Sequence, residues 1–241
     1  MKTLKFVLVT SANLLLLSAC GNNQFGNTPP LGTNTSPGIS WNANQVQPFT
    51  PLQLDDNALT MLGQWERQEL GVAPSNGLYA GAMHAPTPAN IQGAQIVTTR
   101  ELAQLISQTA AGSLLILDVL GGPQRIPGAQ MAVPASQGGD FDDQTQKQFG
   151  EYLQSATQGN RAMPIITYCQ NRECWMSYNA ALRAVALGYS NVMWYRGGIQ
   201  AWMLAGRPVE GGPYGAQTTP VAAADESVWQ KLLKPIGALK N

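Results

Sequence analysis

The chain holds a single histidine, His84, and three cysteines among 241 residues. Charged residues make up 12% of it, about half the usual share. One histidine beside so few thiols offers no ligand set at the spacing that zinc or a similar metal uses. No metal and no other cofactor is therefore expected. Lysine and arginine together equal aspartate and glutamate at 14 each, and nowhere do they gather into a basic stripe, which argues against a nucleic-acid partner. The mostly apolar run from Phe6 to Leu17 is too short to cross a bilayer. Asn, Gln and Thr, with 25 glycines and 16 prolines, fill the place that charge leaves. Hydrophobic content of 44% still suffices for a core.

Lys2 and Lys5 precede the apolar run, in the order of a secretory signal. The run ends in Leu17-Ser18-Ala19-Cys20, followed by Gly21. This ending resembles the lipobox of bacterial lipoproteins. The resemblance implies that residues 1–19 are a lipoprotein signal peptide and that Cys20 becomes an acylated N-terminus carrying fatty chains of the palmitate kind. Gly21, where an aspartate would retain the protein, resembles the outer-membrane variety. The expected location is the periplasmic face of a bacterial membrane, with the membrane reached through the lipid anchor. From Gly21 to Leu54 there is no charged residue, so residues 20–54 read as a flexible tether whose ends lie on the order of 30 Å apart.

Asp55 and Asp56 supply N-cap chemistry for a helix through Ala58, Met61, Leu62 and Trp65, which Gly71 can end. Residues 55–90 read as a helical extension, loop-like after residue 71. Over residues 91–211 short apolar runs alternate with helical patterns: a strand at 94–97, a helix at 101–108 with Thr98 and Glu101 as a capping box, a strand at 114–117, a strand at 129–133, a helix at 142–157, a strand at 164–168, a helix at 175–187 closed by Gly188, a strand at 191–195 and a helix at 199–205. That alternation predicts an α/β fold with a mainly parallel sheet covered on both faces. Residues 212–241 form a Gly- and Pro-rich tail with an amphipathic helix near 227–239.

Cys169 and Cys174 remain once Cys20 is assigned to lipid. In an oxidising compartment they are available for a disulfide, though spacing alone does not show that they pair. Cys169 directly follows a strand and precedes a helix, and in open α/β sheets ligands gather at the carboxyl ends of strands. A thiol there faces a helix N-terminus, whose free N–H groups favour the thiolate, and Arg172 adds positive charge.

Several segments then resemble the rhodanese-homology family in its own order: Leu117-Asp118-Val119, Ile126-Pro127-Gly128-Ala129, Tyr168-Cys169, and Gly197-Gly198-Ile199-Gln200-Ala201-Trp202 with Ala205-Gly206-Arg207-Pro208-Val209. The resemblance spans roughly residues 91–211 and implies a three-layer rhodanese-like fold around a five-stranded sheet. Cys169 would be the nucleophile, Cys174 its partner, and Arg172 and Asp118 would order the pocket, with Gln170, Asn171, Glu173 and Trp175 against the substrate. The substrates implied are a small sulfur donor and a thiol acceptor. Cys174-Trp175 departs from the usual loop and resembles a Cys-Trp subgroup associated with catabolism dependent on pyrroloquinoline quinone, which suggests a periplasmic dehydrogenase or cytochrome as partner. Arg125 stands where the family commonly has His.

Three functions compete: sulfur transfer through a Cys169 persulfide, a redox cycle in which Cys174 resolves a persulfide or sulfenate on Cys169 as a disulfide, and a binding or delivery module without turnover. Phosphatase chemistry is excluded because Trp175 stands where such enzymes need Arg. Plainer readings stand beside these: a structural disulfide, Trp175 as a packing shield, Asp118 as a loop cap, Arg183 on the solvent face of its helix, His84 on the surface, and Trp194 and Trp202 in the core.

Overall fold

A computed structural model describes residues 54–211, all within one compact unit of the chain. The signal-like segment, Cys20, the tether up to residue 53 and the amphipathic stretch at 227–239 lie outside the described residues. Seven strands occur among the described residues: β1 (Gln95–Ile96), β2 (Leu115–Asp118), β3 (Gln124–Arg125), β4 (Gln130–Met131), β5 (Ile165–Tyr168), β6 (Val192–Tyr195) and β7 (Glu210–Gly211). Five of them make one sheet in the order β1-β6-β5-β2-β4, and every pair in it is parallel. β3 and β7 pair antiparallel as a separate ribbon. The five α-helices among the described residues are α1 (Asp56–Glu66), α2 (Thr99–Gln108), α3 (Gln144–Ala156), α4 (Trp175–Ala186) and α5 (Gly198–Leu204). This is an α/β fold with a five-stranded parallel sheet flanked by helices. No helix among the described residues is long and apolar enough to cross a membrane.

The central strands are buried along their length because a parallel sheet is covered on both faces, and their sequences are near-continuous apolar runs to match. Alternate residues feed opposite cores. Leu115, Leu117 and Ile165 pack with Phe149 and Leu153 of α3 and Tyr178 of α4. Ile116 and Ile166 pack on the other side with Leu62 of α1, Leu102 of α2 and Trp202 of α5.

Local signals set most boundaries. The Asp55 side chain accepts from Ala58 N at 2.8 Å and starts α1. Thr98 and Glu101 form the reciprocal capping box of α2. Two elements differ from expectation. Helix α1 ends at Glu66 rather than running on to Gly71, because the Glu66 side chain turns into the interior onto Thr99 and its carbonyl is taken by Arg196. The strand expected at 129–133 is only Gln130–Met131, and a 3₁₀ helix at Val133–Ser136 follows, where Pro134 has no N–H to give a ladder.

Candidate functional site

The fold brings Cys169 to the carboxyl end of β5 and Cys174 to the N-cap of α4, and the two are joined as a disulfide with Cα atoms 6.3 Å apart. The loop between them is pinned from several sides. Asn171 accepts from Glu173 N at 2.9 Å through its side-chain oxygen and donates to the Gln200 side chain at 2.9 Å. Ile199 N and Gln200 N donate to the carbonyls of Cys169 and Gln170 at 2.9 and 3.0 Å. These close approaches need the left-handed φ of +64° at Gly198, where a Cβ would collide with the loop backbone.

Both sulfurs are sealed: Cys169 is 1% exposed and Cys174 0%. Sγ of Cys169 lies 3.8 Å from Sδ of Met176. The cover is a strap formed by residues 65–87. Tyr79 stacks on Trp175, and Trp175 in turn meets Tyr178 edge-on. Trp175 Nε1 donates to the Pro86 carbonyl at 3.1 Å. Trp175 N donates to the Met83 carbonyl at 2.8 Å. That last bond corrects an expectation: the amide at the start of α4 does not face Cys169, because the strap has claimed it. Apolar packing surrounds the oxidised pair instead.

The strap is held by two arginines. Arg172 donates to the Trp65 carbonyl at 3.0 Å and to the Gln68 side chain, and its guanidinium sits 4.4 Å over the Trp65 ring. Arg196, wholly buried, donates to Thr87 and to the carbonyls of Glu66 and Gln68. Neither arginine joins an ion pair among the described residues. Burial lowers the pKa of both, Arg196 to about 10. Beneath the strap, Glu66 is wholly buried and accepts from Thr99 N and Oγ1 at 3.0 and 2.6 Å. Loss of solvent raises its carboxyl to about 7, against the opposing pull of the Thr99 bonds.

Cys169, Cys174, Arg172, Asn171 and Trp175 thus form one cluster, with Gln170 and Glu173 exposed on the same loop. Asp118 ends the neighbouring strand, but its carboxylate accepts from Leu120 N and Gly121 N at 2.9 and 3.1 Å, so it caps its own loop. Trp175 is a packing residue and Trp194 and Trp202 are core. His84 is exposed. Arg183 is not on the solvent face: it is fully buried and pairs with Asp143 at 2.8 Å, because the start of α3 covers that side of α4. Sequence reasoning missed Tyr79, Met83, Thr87 and Arg196. A signal for Arg196 was present, since a charged residue directly after a buried strand is costly unless its donors are all satisfied. Among the described residues no group of three or more His, Cys, Asp or Glu side chains could hold a metal ion.

Residues 98–205 match the family described as Rhodanese-like domain. The disulfide loop lies inside the matched stretch. Similar solved structures include the Alr3790 protein of Anabaena sp., at 19% identity over 48% of this chain and 91% of that one, with a TM-score of 0.37. A thiosulfate sulfurtransferase from Pseudomonas aeruginosa is 18% identical over 58% of this chain and 23% of that one, TM-score 0.37. The 30 kDa polysulfide-sulfur transferase homodimer of Wolinella succinogenes is 10% identical over 53% and 85%, TM-score 0.35. Likeness of this degree carries nothing about activity. No curated protein matches the chain.

Proposed function

We propose that the chain handles sulfane sulfur outside the cytoplasm, through a Cys169 persulfide that Cys174 resolves. The observation that carries this reading is the disulfide itself, at the carboxyl end of a central parallel strand in a rhodanese-like domain. In the reduced protein the Cys169 thiolate attacks the outer sulfur of thiosulfate. The S–S bond of the donor breaks, sulfite leaves, and Cys169 holds a persulfide. A thiol acceptor can take the outer sulfur. Alternatively the Cys174 thiol attacks Sγ of Cys169, hydrosulfide leaves, and the disulfide forms. A dithiol then returns two electrons and resets the pair. Cys20 would hold the domain at the periplasmic face of the membrane, the outer membrane by the residue that follows it. A periplasmic quinoprotein dehydrogenase or its cytochrome is the partner class suggested by Cys174-Trp175.

The test is intact mass after reduction and treatment with thiosulfate or polysulfide. Cys174→Ser should retain one added sulfur atom, wild type should release hydrosulfide and return to the disulfide, and Cys169→Ser should gain nothing. Absence of added sulfur on Cys174→Ser would sink the reading. The near-zero exposure of both sulfurs favours a second one, a binding or delivery module stapled by a structural disulfide. A reduction potential below about −300 mV, the range of structural disulfides, would select it.

A further inference from the structure

Tyr168 pairs with Tyr195 across the parallel strands β5 and β6, so Cys169 and Arg196 are the residues with which two neighbouring chains leave the sheet. Such strands lie about 4.8 Å apart. Arg196 is fully buried, and every acceptor it finds among the described residues is neutral. Nε donates to Thr87 Oγ1 at 3.0 Å, Nη1 to the carbonyls of Glu66 and Gln68 at 2.8 Å each, and Nη2 to the Thr87 carbonyl at 2.8 Å. Thr87 Oγ1 passes the chain of bonds on, donating to the Arg172 carbonyl inside the disulfide loop at 2.5 Å. All four acceptor groups come from the strap, so the guanidinium is held away from solvent that would screen its charge. The two carboxylates that act on it, Glu69 and Glu173, are exposed, and the larger charge influence is the like charge of Arg172.

A buried cation without a counter-ion lowers the energy of any anion formed beside it. Reduction of the disulfide that begins on the adjoining strand forms one. Two electrons and one proton break the S–S bond and leave a thiolate at Cys169 and a thiol at Cys174, while a dithiol such as dithiothreitol becomes its cyclic disulfide and gives its second proton to solvent. We propose that Arg196 is a positioning residue for the redox pair, whose uncompensated charge, fixed by the strap, poises Cys169–Cys174 toward the reduced state. This rests on the reading in which the pair cycles. It adds a residue outside the loop that sets how readily the pair does so.

The experiment is equilibration of the full chain with dithiothreitol, with the oxidised fraction read by thiol labelling and mass. Arg196→Gln should hold its disulfide about tenfold more tightly, which is about 30 mV of potential. Arg196→Lys should recover most of that shift, and Thr87→Val, which loosens the strap but keeps the charge, should stay within about threefold of wild type. An unshifted Arg196→Gln overturns the proposal, and so does a Thr87→Val shift as large as that of Arg196→Gln. If Arg196→Gln does not fold, alkylation of Cys174→Ser against pH decides. An ordinary thiol midpoint near 8.5 at Cys169 overturns it, and a midpoint at about 7.5 or below supports it. No sulfur donor is used. Failure to form a persulfide therefore leaves this result standing, and an unshifted Arg196→Gln leaves the persulfide reading standing.

Discussion

Tyr79 lies flat on Trp175, with ring centroids 4.0 Å apart and planes 13° from parallel. One ring belongs to the strap and the other to the first turn of α4, next to Cys174. Trp175 is itself packed against Tyr178, and both rings share the core cluster that holds the two sulfurs, with Tyr79 packed against it. An aromatic pair contributes roughly 0.5–1.5 kcal/mol beyond its buried area. Tyr79→Ala should therefore speed reduction of the disulfide by dithiothreitol by about three- to tenfold, read as thiol labelling against time. An unchanged rate would mean that the strap does not control access.

Arg183 and Asp143 tie α4 to the N-cap of α3. The guanidinium is fully buried and the carboxylate is partly exposed, 2.8 Å away. Hydrogen bonds from Arg183, and then from Gln146 N, hold the Asp143 carboxyl down at about 2. Because the folded value lies below the ordinary one, the stabilisation is present above about pH 4 and is lost as pH falls toward 2. Asp143→Asn removes it at every pH and strands a buried cation, at a cost of about 3 kcal/mol in urea unfolding. A loss under about 1 kcal/mol would show that the carbonyls of Gln137, Gly138 and Asp140 satisfy Arg183 without it.

Glu66 titrates in the opposite sense. Its carboxyl is raised to about 7 in the folded chain by burial, so the folded state holds a proton that the unfolded chain releases near pH 4.5. Stability is then greatest below that value and falls by roughly 3 kcal/mol as pH rises to about 7. Glu66→Gln should flatten this slope in thermal unfolding followed from pH 5 to 8. An equal slope in both proteins would assign the pH dependence elsewhere.

Gly198 combines a φ of +64° with backbone atoms of Cys169 and Gln170 where a side chain would begin. Gly198→Ala should cost about 3 kcal/mol of stability and disturb the loop before the distant core. Hydrogen exchange should rise first at the Ile199 and Gln200 amides, which bond the loop carbonyls. A variant as stable as wild type would show that the start of α5 can move without harm to the disulfide.

Most of the fold was legible because its signals are local. Apolar runs of four residues mark β2, β5 and β6, and Thr98 with Glu101 marks the start of α2 from spacing alone. Short edge elements were less legible. β4 keeps two residues because its limits come from pairing with β2 on one side only. The end of α1 was misplaced because it is set by Thr99 and Arg196, far away in the chain. Arg183 looked like a solvent residue because helical periodicity describes one helix, and the element that buries this arginine is another.

By itself the sequence determined the alternation of strands and helices, and it placed Cys169 between a buried strand and a helix start with Cys174 within reach. Those are properties of neighbours along the chain, where backbone geometry and apolar spacing act directly. Only the tertiary structure decided that the two sulfurs are joined and sealed, that the strap from Trp65 to Thr87 takes the amide at the start of α4, and that Arg196, one strand over from Cys169, is buried with no ion pair among the described residues. The physical reason is distance in sequence. The strap reaches its loop across about ninety residues, and bonds of that range are chosen by burial and unmet hydrogen-bonding groups, which no local pattern records.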